Sequence, residues 1–166
     1  MSSDLVFPSG AARGAINIPV NLPGPVVVNF KGYSITDSAA QNGDLGVFIS
    51  GTGPSTSTIT VQNGSLSGFY FGCWVEPTNA IILTDITLDH LFISNTPSQS
   101  GAGINLIFVQ DSVVTNCSFT NCATAIEADW TTSGDRFSNI AFTNCGSALA
   151  MEASGVLDTL RFEPAP

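Results

Sequence analysis

A repeat of roughly 25 residues is the feature of this sequence that most constrains its fold. Six eight-residue segments align without gaps and begin at residues 30, 61, 88, 114, 137 and 157. The sixth position of every segment is apolar, and in chain order it is Ile35, Leu66, Ile93, Phe119, Phe142 and Phe162. Such a period is typical of solenoids, in which each repeat buries its apolar side only against its neighbours.

Two further columns of the alignment define a strand and a turn. The first position reads Phe30, Val61, Leu88, Val114, Phe137 and Leu157, and the fourth reads Tyr33, Gly64, Leu91, Cys117, Ile140 and Leu160. The fourth and sixth positions alternate as in a strand that is buried on one side. The odd spacing from the first to the fourth position predicts a turn between them.

The third position is the predicted turn. It reads Gly32, Asn63, His90, Asn116, Asn139 and Thr159. Gly and Asn tolerate the left-handed backbone conformation that a tight corner needs. Because His90 stands in a turn column, we expect a hydrogen-bonded structural histidine and not a catalytic one.

A further strand is predicted after each of the first five segments. These strands cover residues 46–50, 72–76, 103–107, 125–129 and 148–152, and each starts with Gly or Ala. Alternation turns one set of side chains toward the core, namely Val47, Ile49, Cys73, Val75, Ile104, Leu106, Ile126, Ala128, Leu149 and Met151. Three short strands per rung and about six rungs predict an all-β, single-domain parallel solenoid.

Composition supports this fold class and excludes several partners. The chain has 166 residues, which fits one domain. Only 10% of residues are charged while 43% are hydrophobic, which disfavours both a disordered chain and a helical bundle. Four basic against thirteen acidic residues give a net charge of −9, which argues against nucleic acid and anionic membranes as partners. No secretory signal is predicted at the N-terminus.

Two sequence stretches carry a resemblance to a known superfamily. Val-Thr-Asn-Cys-Ser-Phe-Thr-Asn-Cys at 114–122 and Asn-Ile-Ala-Phe-Thr-Asn-Cys at 139–145 resemble repeats of the right-handed parallel β-helices of the pectin-lyase-like superfamily. The resemblance covers about residues 26 to 164 and implies a β-helix over 26–166. Residues 1–25 contain four prolines and lack the repeat, so we expect them to form an N-terminal cap. The resemblance also implies an Asn ladder at Asn63, Asn116 and Asn139, with His90 replacing one member. An extracellular or virion-associated location is a further implication, and the localisation is otherwise unknown.

The resemblance further implies a carbohydrate-binding surface on the outward side of the strand that follows Gly or Ala. In the enzymes of this superfamily, that strand and its flanking loops commonly form the polysaccharide groove. The candidate substrate-binding residues are Trp74, Glu76, Asn105 and Trp130, with the two tryptophans as stacking surfaces for sugars. The competing interpretation is a solvated surface, because alternation places acidic side chains outside in any case.

Three carboxylates on the same side are candidate catalytic residues, namely Glu127, Asp129 and Glu152. We expect Glu76, Ile107, Asp129 and Glu152 to stack in one column, since adjacent rungs are about 4.8 Å apart. Glycoside hydrolysis needs two carboxyl groups roughly 5 to 5.5 Å apart for retention, or 6.5 to 9.5 Å for inversion. The chain lacks the Asn-Thr-Asp, Asp-Asp, Gly-His-Gly and Arg-x-Lys motifs of polygalacturonases, so the resemblance brings no catalytic set.

The sequence leaves the enzyme question open. A glycoside hydrolase is favoured over a polysaccharide lyase, because the four basic residues, Arg13, Lys31, Arg136 and Arg161, fall outside the outward positions of the candidate strand. The expected partner is a polysaccharide or oligosaccharide, with no cofactor and no metal. The alternative is a noncatalytic structural or self-assembling subunit of a fibre, appendage or tailspike, which forms a homo-oligomer or an end-to-end assembly.

The four cysteines divide into two pairs by position. Cys122 and Cys145 each follow a sixth position by three residues on neighbouring rungs, which allows either a disulfide or a stacked pair of thiols. Cys73 and Cys117 stand in inward columns, where a thiol behaves as a small hydrophobe. One histidine and no Cys-x-x-Cys pair argue against a structural zinc site.

Overall fold

The computed structural model describes residues 3–7, 14–38, 43–53, 57–78, 81–96, 101–129 and 134–152. Within these ranges the chain is all-β. In chain order the strands are β1 Leu5–Phe7, β2 Ile16–Pro19, β3 Val26–Asn29, β4 Ser34–Asp37, β5 Leu45–Ser50, β6 Ile59–Ser67, β7 Phe71–Val75, β8 Leu83–Thr84, β9 Ile86–Ser94, β10 Ala102–Ile107, β11 Val109–Gln110, β12 Val113–Thr115, β13 Ser118–Thr120, β14 Thr124–Asp129, β15 Arg136–Ser138, β16 Ala141–Thr143 and β17 Ser147–Glu152. The part of the chain so described contains no helix that is long and apolar enough to cross a membrane.

Among the described residues all strand pairs are parallel, and they form three sheets. The first sheet has nine strands and contains the eight-residue repeats, with β6 and β9 at its centre. The second sheet has the order β2-β5-β7-β10-β14-β17, and a third consists of β8 and β11. Neighbouring strands in the second sheet follow one another in chain order, and at least one strand of the first sheet lies between each two of them along the chain. The chain therefore returns to each sheet once per repeat.

The register of the first sheet confirms the sixth-position column over five repeats. At the first position it corrects the first repeat, where Val28 and not Phe30 pairs with Val61, because two additional residues precede the turn there. Ile35 pairs with Leu66, Leu66 with Ile93, and Ile93 with Phe119. Phe119 in turn pairs with Phe142. The sixth segment, at 157–164, lies outside the described residues. Parallel strands in register place equivalent residues of successive repeats in one column, and this is why the repeat is visible in the sequence.

A single large core cluster takes side chains from both major sheets. The sixth-position residues Ile35, Leu66, Ile93 and Phe119 are at most 2% exposed. They meet the predicted inward residues of the second sheet, and those that belong to the core cluster or pack against it are Val47, Ile49, Cys73, Val75, Ile104, Leu106, Ile126 and Leu149. The rings of Phe119 and Phe142 stack with centroids 5.8 Å apart. The inward assignments of these residues are therefore confirmed.

The predicted turn column has the left-handed backbone conformation. Asn63, His90, Asn116 and Asn139 have φ between 50° and 59°. In the second and third repeats the bend lies inside a nine-residue strand, and in the fourth and fifth it separates two three-residue strands. Asn suits this position because its short polar side chain tolerates positive φ better than other side chains do.

The Asn ladder runs through Asp89 and not through His90. Asn139 donates from Nδ2 to Oδ1 of Asn116 over 2.7 Å, and Asn116 donates to Oδ1 of Asp89 over 2.9 Å. His90 turns aside, and its Nδ1 lies 2.7 Å from the same Asp89 oxygen. The expectation that His90 replaces a ladder member is thus wrong in detail, because the acceptor comes from the residue before it. Similarly, Asn63 donates to Asn29, which precedes the turn of the first repeat as Asp89 precedes that of the third.

Glycines near the start of the second-sheet strands keep adjacent strands close. A Cβ on Gly72 would lie 2.6 Å from the carbonyl oxygen of Gly103, and one on Gly103 would lie 2.7 Å from that of Ala125.

The strands of the second sheet that were predicted from the sequence begin one residue earlier than predicted, and β7 ends at Val75. Glu76 is therefore just beyond its strand, although its backbone N–H still bonds to Ile49.

The N-terminal strands extend the two major sheets. β1 pairs with β4 and β2 pairs with β5, so each is the end strand of its sheet among the described residues. A solenoid needs such coverage because an open end exposes unpaired backbone groups. The division into a cap at 1–25 and a solenoid at 26–166 stays a prediction.

Candidate functional site

The outward side of the second sheet carries a row of side chains in register. Phe48 pairs with Trp74, Trp74 with Asn105, and Asn105 with Glu127. These four residues, hereafter the Trp74 row, stand on β5, β7, β10 and β14. Adjacent strands are about 4.8 Å apart, so the row spans about 14 Å. The row thereby brings together the predicted binding residues Trp74 and Asn105 and the predicted catalytic residue Glu127.

Aromatic rings cluster around Trp74. Its ring centroid lies 5.5 Å from that of Phe48 and 4.9 Å from that of Phe71. Tyr70 contacts Phe71 edge to face at 4.7 Å. Such tilted contacts are favourable between rings and fix their orientation. Trp74 is therefore held in place while it remains half-exposed.

This aromatic cluster was missed at the sequence level. Strict alternation from Val47 and Cys73 would turn Leu45 and Phe71 toward the core. Instead, Leu45, Phe71 and Ala102 form a second apolar cluster, against which Phe48, Tyr70 and Trp74 pack. The signal lay in the glycines that follow, Gly46, Gly72 and Gly103, because Gly inside a strand marks a local break in regularity.

A cleft of about 640 Å³ opens beside this cluster. Apolar side chains form most of its wall, and the polar side chains of its lining are Asn17 and Ser50. The side chains that border it include Asn17, Pro19, Leu45, Phe48, Ser50 and Trp74. The volume is within the usual range for small-molecule sites, which are also mostly apolar with a few polar groups.

The polar half of the Trp74 row is a partly buried hydrogen bond. Asn105 donates from Nδ2 to Oε2 of Glu127 over 2.8 Å. Asn105 was expected to face solvent, but it is only 4% exposed, since it lies between the larger side chains of Trp74 and Glu127. Within the described residues, Asn105 Oδ1 and Trp74 Nε1 are buried and have no hydrogen-bond partner. A buried polar atom without a partner is rare and is found at binding sites.

Three further predicted site residues lie at strand ends: Asp129 ends β14, Glu152 is the last described residue of β17, and Glu76 directly follows β7. Asp129 pairs in register with Ile107 on one side and with Glu152 on the other. Their backbones are therefore neighbours as predicted, while their side chains, and Trp130 as a whole, lie outside the described residues. Glu76 is half-buried just past β7, and burial raises the pKa of its carboxyl.

Asp37, Asp44 and Asp135 are also buried and were not singled out from the sequence. Asp135 accepts a hydrogen bond from the Ser112 N–H over 2.8 Å, yet burial raises its pKa to about 7. Burial and the neighbouring Asp37 raise the pKa of Asp44. None of the three belongs to a group that could hold a metal, because the described residues contain no such group of three or more His, Cys, Asp or Glu.

The cysteines of the described chain are thiols. Cys73, Cys117 and Cys122 are buried and Cys145 is half-buried. Of the two alternatives for Cys122 and Cys145, the structure has the stacked pair and not the disulfide. Burial raises the pKa of Cys117 to about 12 and shifts those of Cys73 and Cys122 in the same direction. These thiols are therefore packing groups and not nucleophiles at neutral pH.

Comparisons with known proteins do not identify the class of this protein, which is therefore described from its structure. No protein-family model, no curated protein and no solved structure matches it. What the structure itself defines is an all-β protein of parallel sheets with a repeated, in-register core.

Proposed function

We propose that this protein is a compact right-handed parallel β-helix that binds polysaccharide along the Trp74 row. The parallel pairing of equivalent strands in successive repeats supports the β-helix. The observation that carries the binding proposal is the juxtaposition of an aromatic cluster, a cleft and a partly buried Asn105–Glu127 pair on one outward sheet surface. Aromatic rings give a sugar an apolar stacking surface, and amide and carboxylate groups bond to its hydroxyls.

The linear layout of the row favours an extended ligand. Phe48, Trp74, Asn105 and Glu127 follow one another across four neighbouring strands. A chain of a few sugar rings lying across the strands would contact the aromatic end and the polar end together. Such a ligand gains from several modest contacts at once, since each additional ring adds buried area without a new loss of rigid-body freedom.

Binding is tested with a panel of immobilised neutral and acidic polysaccharides. We expect Trp74→Ala to weaken retention of the bound glycan at least about tenfold, because it removes the stacking surface. The matched control is Phe92→Ala, which removes a 55% exposed ring from the first sheet. Equal retention by wild type and the Trp74 variant, with both folded by thermal melting, would contradict the proposal.

Hydrolysis is a second step of the same proposal. The register of Asp129 with Glu152 supports it, because it places the backbones of two acidic residues on adjacent strands, about 4.8 Å apart. The two carboxyl groups of a retaining glycosidase are separated by a similar distance, roughly 5 to 5.5 Å. The double variant Asp129→Asn, Glu152→Gln is compared with wild type for release of new reducing ends. Release by wild type alone identifies a glycosidase, and binding without release identifies a lectin-like module.

Self-assembly is the second candidate function. Among the described residues, β17 pairs with β14 alone, so its other edge is unpaired there. An exposed parallel edge can template pairing with another chain. Light scattering over a concentration series tests this function: growth in mass with concentration supports assembly, and a constant monomer mass contradicts it.

A further inference from the structure

Cys122 and Cys145 occupy equivalent positions in the fourth and fifth repeats. Each follows a sixth-position phenylalanine by three residues, and these two phenylalanines, Phe119 and Phe142, pair in register. The Gly146 N–H donates to the Cys122 carbonyl over 3.0 Å, so the two repeats are still bonded to each other at the cysteines. Adjacent parallel strands are about 4.8 Å apart. This spacing falls within the range of roughly 4.4 to 6.8 Å that separates the α-carbons of a disulfide.

The two thiols have the same orientation, one repeat apart. The Cys122 thiol donates to the carbonyl of Ile93 and the Cys145 thiol to that of Phe119, both over 3.7 Å. Ile93 and Phe119 are themselves paired residues of successive repeats. The two thiols also lie within hydrogen-bonding reach of each other. Their sulfur atoms can therefore meet by rotation of the side chains, without a shift of the backbone.

Solvent reaches one member of the pair and not the other. Cys122 is 2% exposed and belongs to the core cluster, whereas Cys145 is half-buried and packs against that cluster. A dissolved oxidant reacts with a thiolate that it can contact, so the first reaction falls on Cys145. Cys122 is then the thiol beside the reacted sulfur. An accessible cysteine next to a second one that resolves it is the usual layout of a redox-sensitive pair.

The other two cysteines provide an internal comparison. Burial, and after it the neighbouring Cys117, raise the pKa of Cys73, so these two thiols are also close together. Cys73 is 0% and Cys117 2% exposed. An oxidant has no access to either sulfur in the folded protein, so this pair should stay reduced. Cys122 and Cys145 thus differ from it in access and not in proximity.

We propose that Cys122 and Cys145 form a reversible disulfide site whose oxidant is a small-molecule disulfide. The Cys145 thiolate attacks one sulfur of the oxidant, which forms a mixed disulfide and releases the first small thiol. The Cys122 sulfur then loses its proton, attacks the Cys145 sulfur and releases the second small thiol. One oxidant disulfide is reduced to two thiols, two protein thiols are oxidised to one disulfide, and the two protein protons end on the released thiols. An excess of small thiol reverses both steps.

Cys122 reacts only with the sulfur that is held next to it. Burial raises the pKa of Cys122, and this thiol is therefore unreactive toward oxidants in solution. In the mixed disulfide, the sulfur under attack is already beside it. A reaction between two groups that are held together is much faster than one between free molecules, and this proximity offsets the small thiolate fraction.

The disulfide would tie the fifth repeat to the fourth where the chain enters β17, which begins at Ser147. Phe142 and Leu149 of the fifth repeat are only partly buried, so packing alone encloses this repeat incompletely. A covalent bond there removes freedom from the unfolded chain and adds stability that packing does not supply. The oxidation state of the pair would therefore set the stability of this end of the described solenoid.

The test treats reduced, folded wild-type protein with oxidised glutathione at pH 8 and maps the cysteines by mass spectrometry. We expect the protein to lose the mass of two hydrogen atoms and to contain one Cys122–Cys145 link, with Cys73 and Cys117 still present as thiols. Excess dithiothreitol should restore the starting mass. The oxidised protein should melt several degrees above the reduced protein, because the link restricts the unfolded chain.

Two variants separate the steps, and a third is the matched control. Cys122→Ser removes the resolving thiol, so the reaction should stop at a glutathione adduct on Cys145. Cys145→Ser removes the accessible thiol, so modification by glutathione should be at least about tenfold slower. Cys117→Ser removes a buried thiol from the other pair and should form the link as wild type does.

Four outcomes in wild type overturn the inference, and none of them depends on how the variants fold. A persistent glutathione adduct on Cys145 contradicts the resolving role of Cys122. A link that contains Cys73 or Cys117 contradicts the assignment of the pair. An unmodified protein after exposure to the oxidant contradicts the access to Cys145. Equal melting temperatures of the reduced and the oxidised protein contradict the stabilising effect of the link.

Discussion

Asn105 and Glu127 share a hydrogen bond of 2.8 Å that links two neighbouring strands on the outward side of the second sheet. A carboxylate only accepts hydrogen bonds, so it fixes the Asn105 amide with Nδ2 toward Glu127 and Oδ1 away from it. Loss of the amide would leave the carboxylate without this donor in a partly buried position.

We therefore expect Asn105→Ala to lower the free energy of unfolding by about 1 to 3 kcal/mol. Glu127→Gln keeps an oxygen that accepts from Asn105 and should cost less. Urea unfolding of the two variants measures the difference. Equal losses in both would show that the neutral bond left in Glu127→Gln contributes nothing, and would contradict this expectation.

The Phe119–Phe142 stack tests the core. Phe119 is fully buried, whereas Phe142 is half-exposed at the last described repeat. We expect Phe119→Ala to cost about 3 to 5 kcal/mol and Phe142→Ala clearly less, because a cavity forms only where neighbours surround the ring. Denaturant unfolding gives both values. A larger loss at Phe142 would contradict the assigned burial.

The left-handed turns give a third prediction. Asn116 has a φ of 53° and both gives and accepts a ladder bond. Asn116→Gly and Asn116→Ala both remove the ladder bonds. Gly adopts the positive φ without strain, whereas the Cβ of Ala is strained in that conformation. We expect the Ala variant to be less stable than the Gly variant by about 1 kcal/mol. Equal stabilities would argue against backbone strain at this turn.

The buried Asp135 makes stability depend on pH. Its pKa of about 7 in the folded protein lies above the ordinary value of 3.8, so the folded state holds a proton that the unfolded state has already lost. Its contribution to stability is therefore present below about pH 4 and is lost as the pH rises to about 7. We expect the wild-type Tm to fall across this window.

Asp135→Asn keeps an acceptor for the Ser112 N–H and removes the titration. This variant should show a smaller fall in Tm between pH 5 and 8 and should exceed wild type at pH 8 by several degrees. Asp85→Asn, which removes an exposed carboxylate, is the control. A pH profile unchanged by the Asp135 substitution would contradict the raised pKa.

Thiol titration tests the state of the cysteines. Cys73, Cys117 and Cys122 are buried thiols with raised pKa values, and Cys145 is half-buried. We expect at most one fast-reacting thiol in the native protein at pH 8, and four in denaturant without reductant. Cys145→Ser should abolish the fast phase. Two thiols instead of four in denaturant would indicate a Cys122–Cys145 disulfide.

The sequence alone determined the repeat, its core columns and its turns. A parallel ladder holds equivalent residues in register, so that Leu66 and Ile93 occupy the same environment and select the same kind of side chain. The turn needs positive φ, which few residues accept, and Asn63 and Asn116 mark it for that reason. Both signals are local or periodic, and periodic signals can be read along one chain.

Only the tertiary structure decided what surrounds the candidate site. The outward turn of Phe71, the cleft beside Trp74 and the burial of Asn105 depend on contacts between strands that are 20 or more residues apart, and on glycines that break strict alternation. Likewise, Asp89 and not His90 completes the Asn ladder, because the distance between side-chain atoms selects the acceptor. Periodicity tells which side of a strand a residue occupies, but the atoms that it meets there are set by packing in three dimensions.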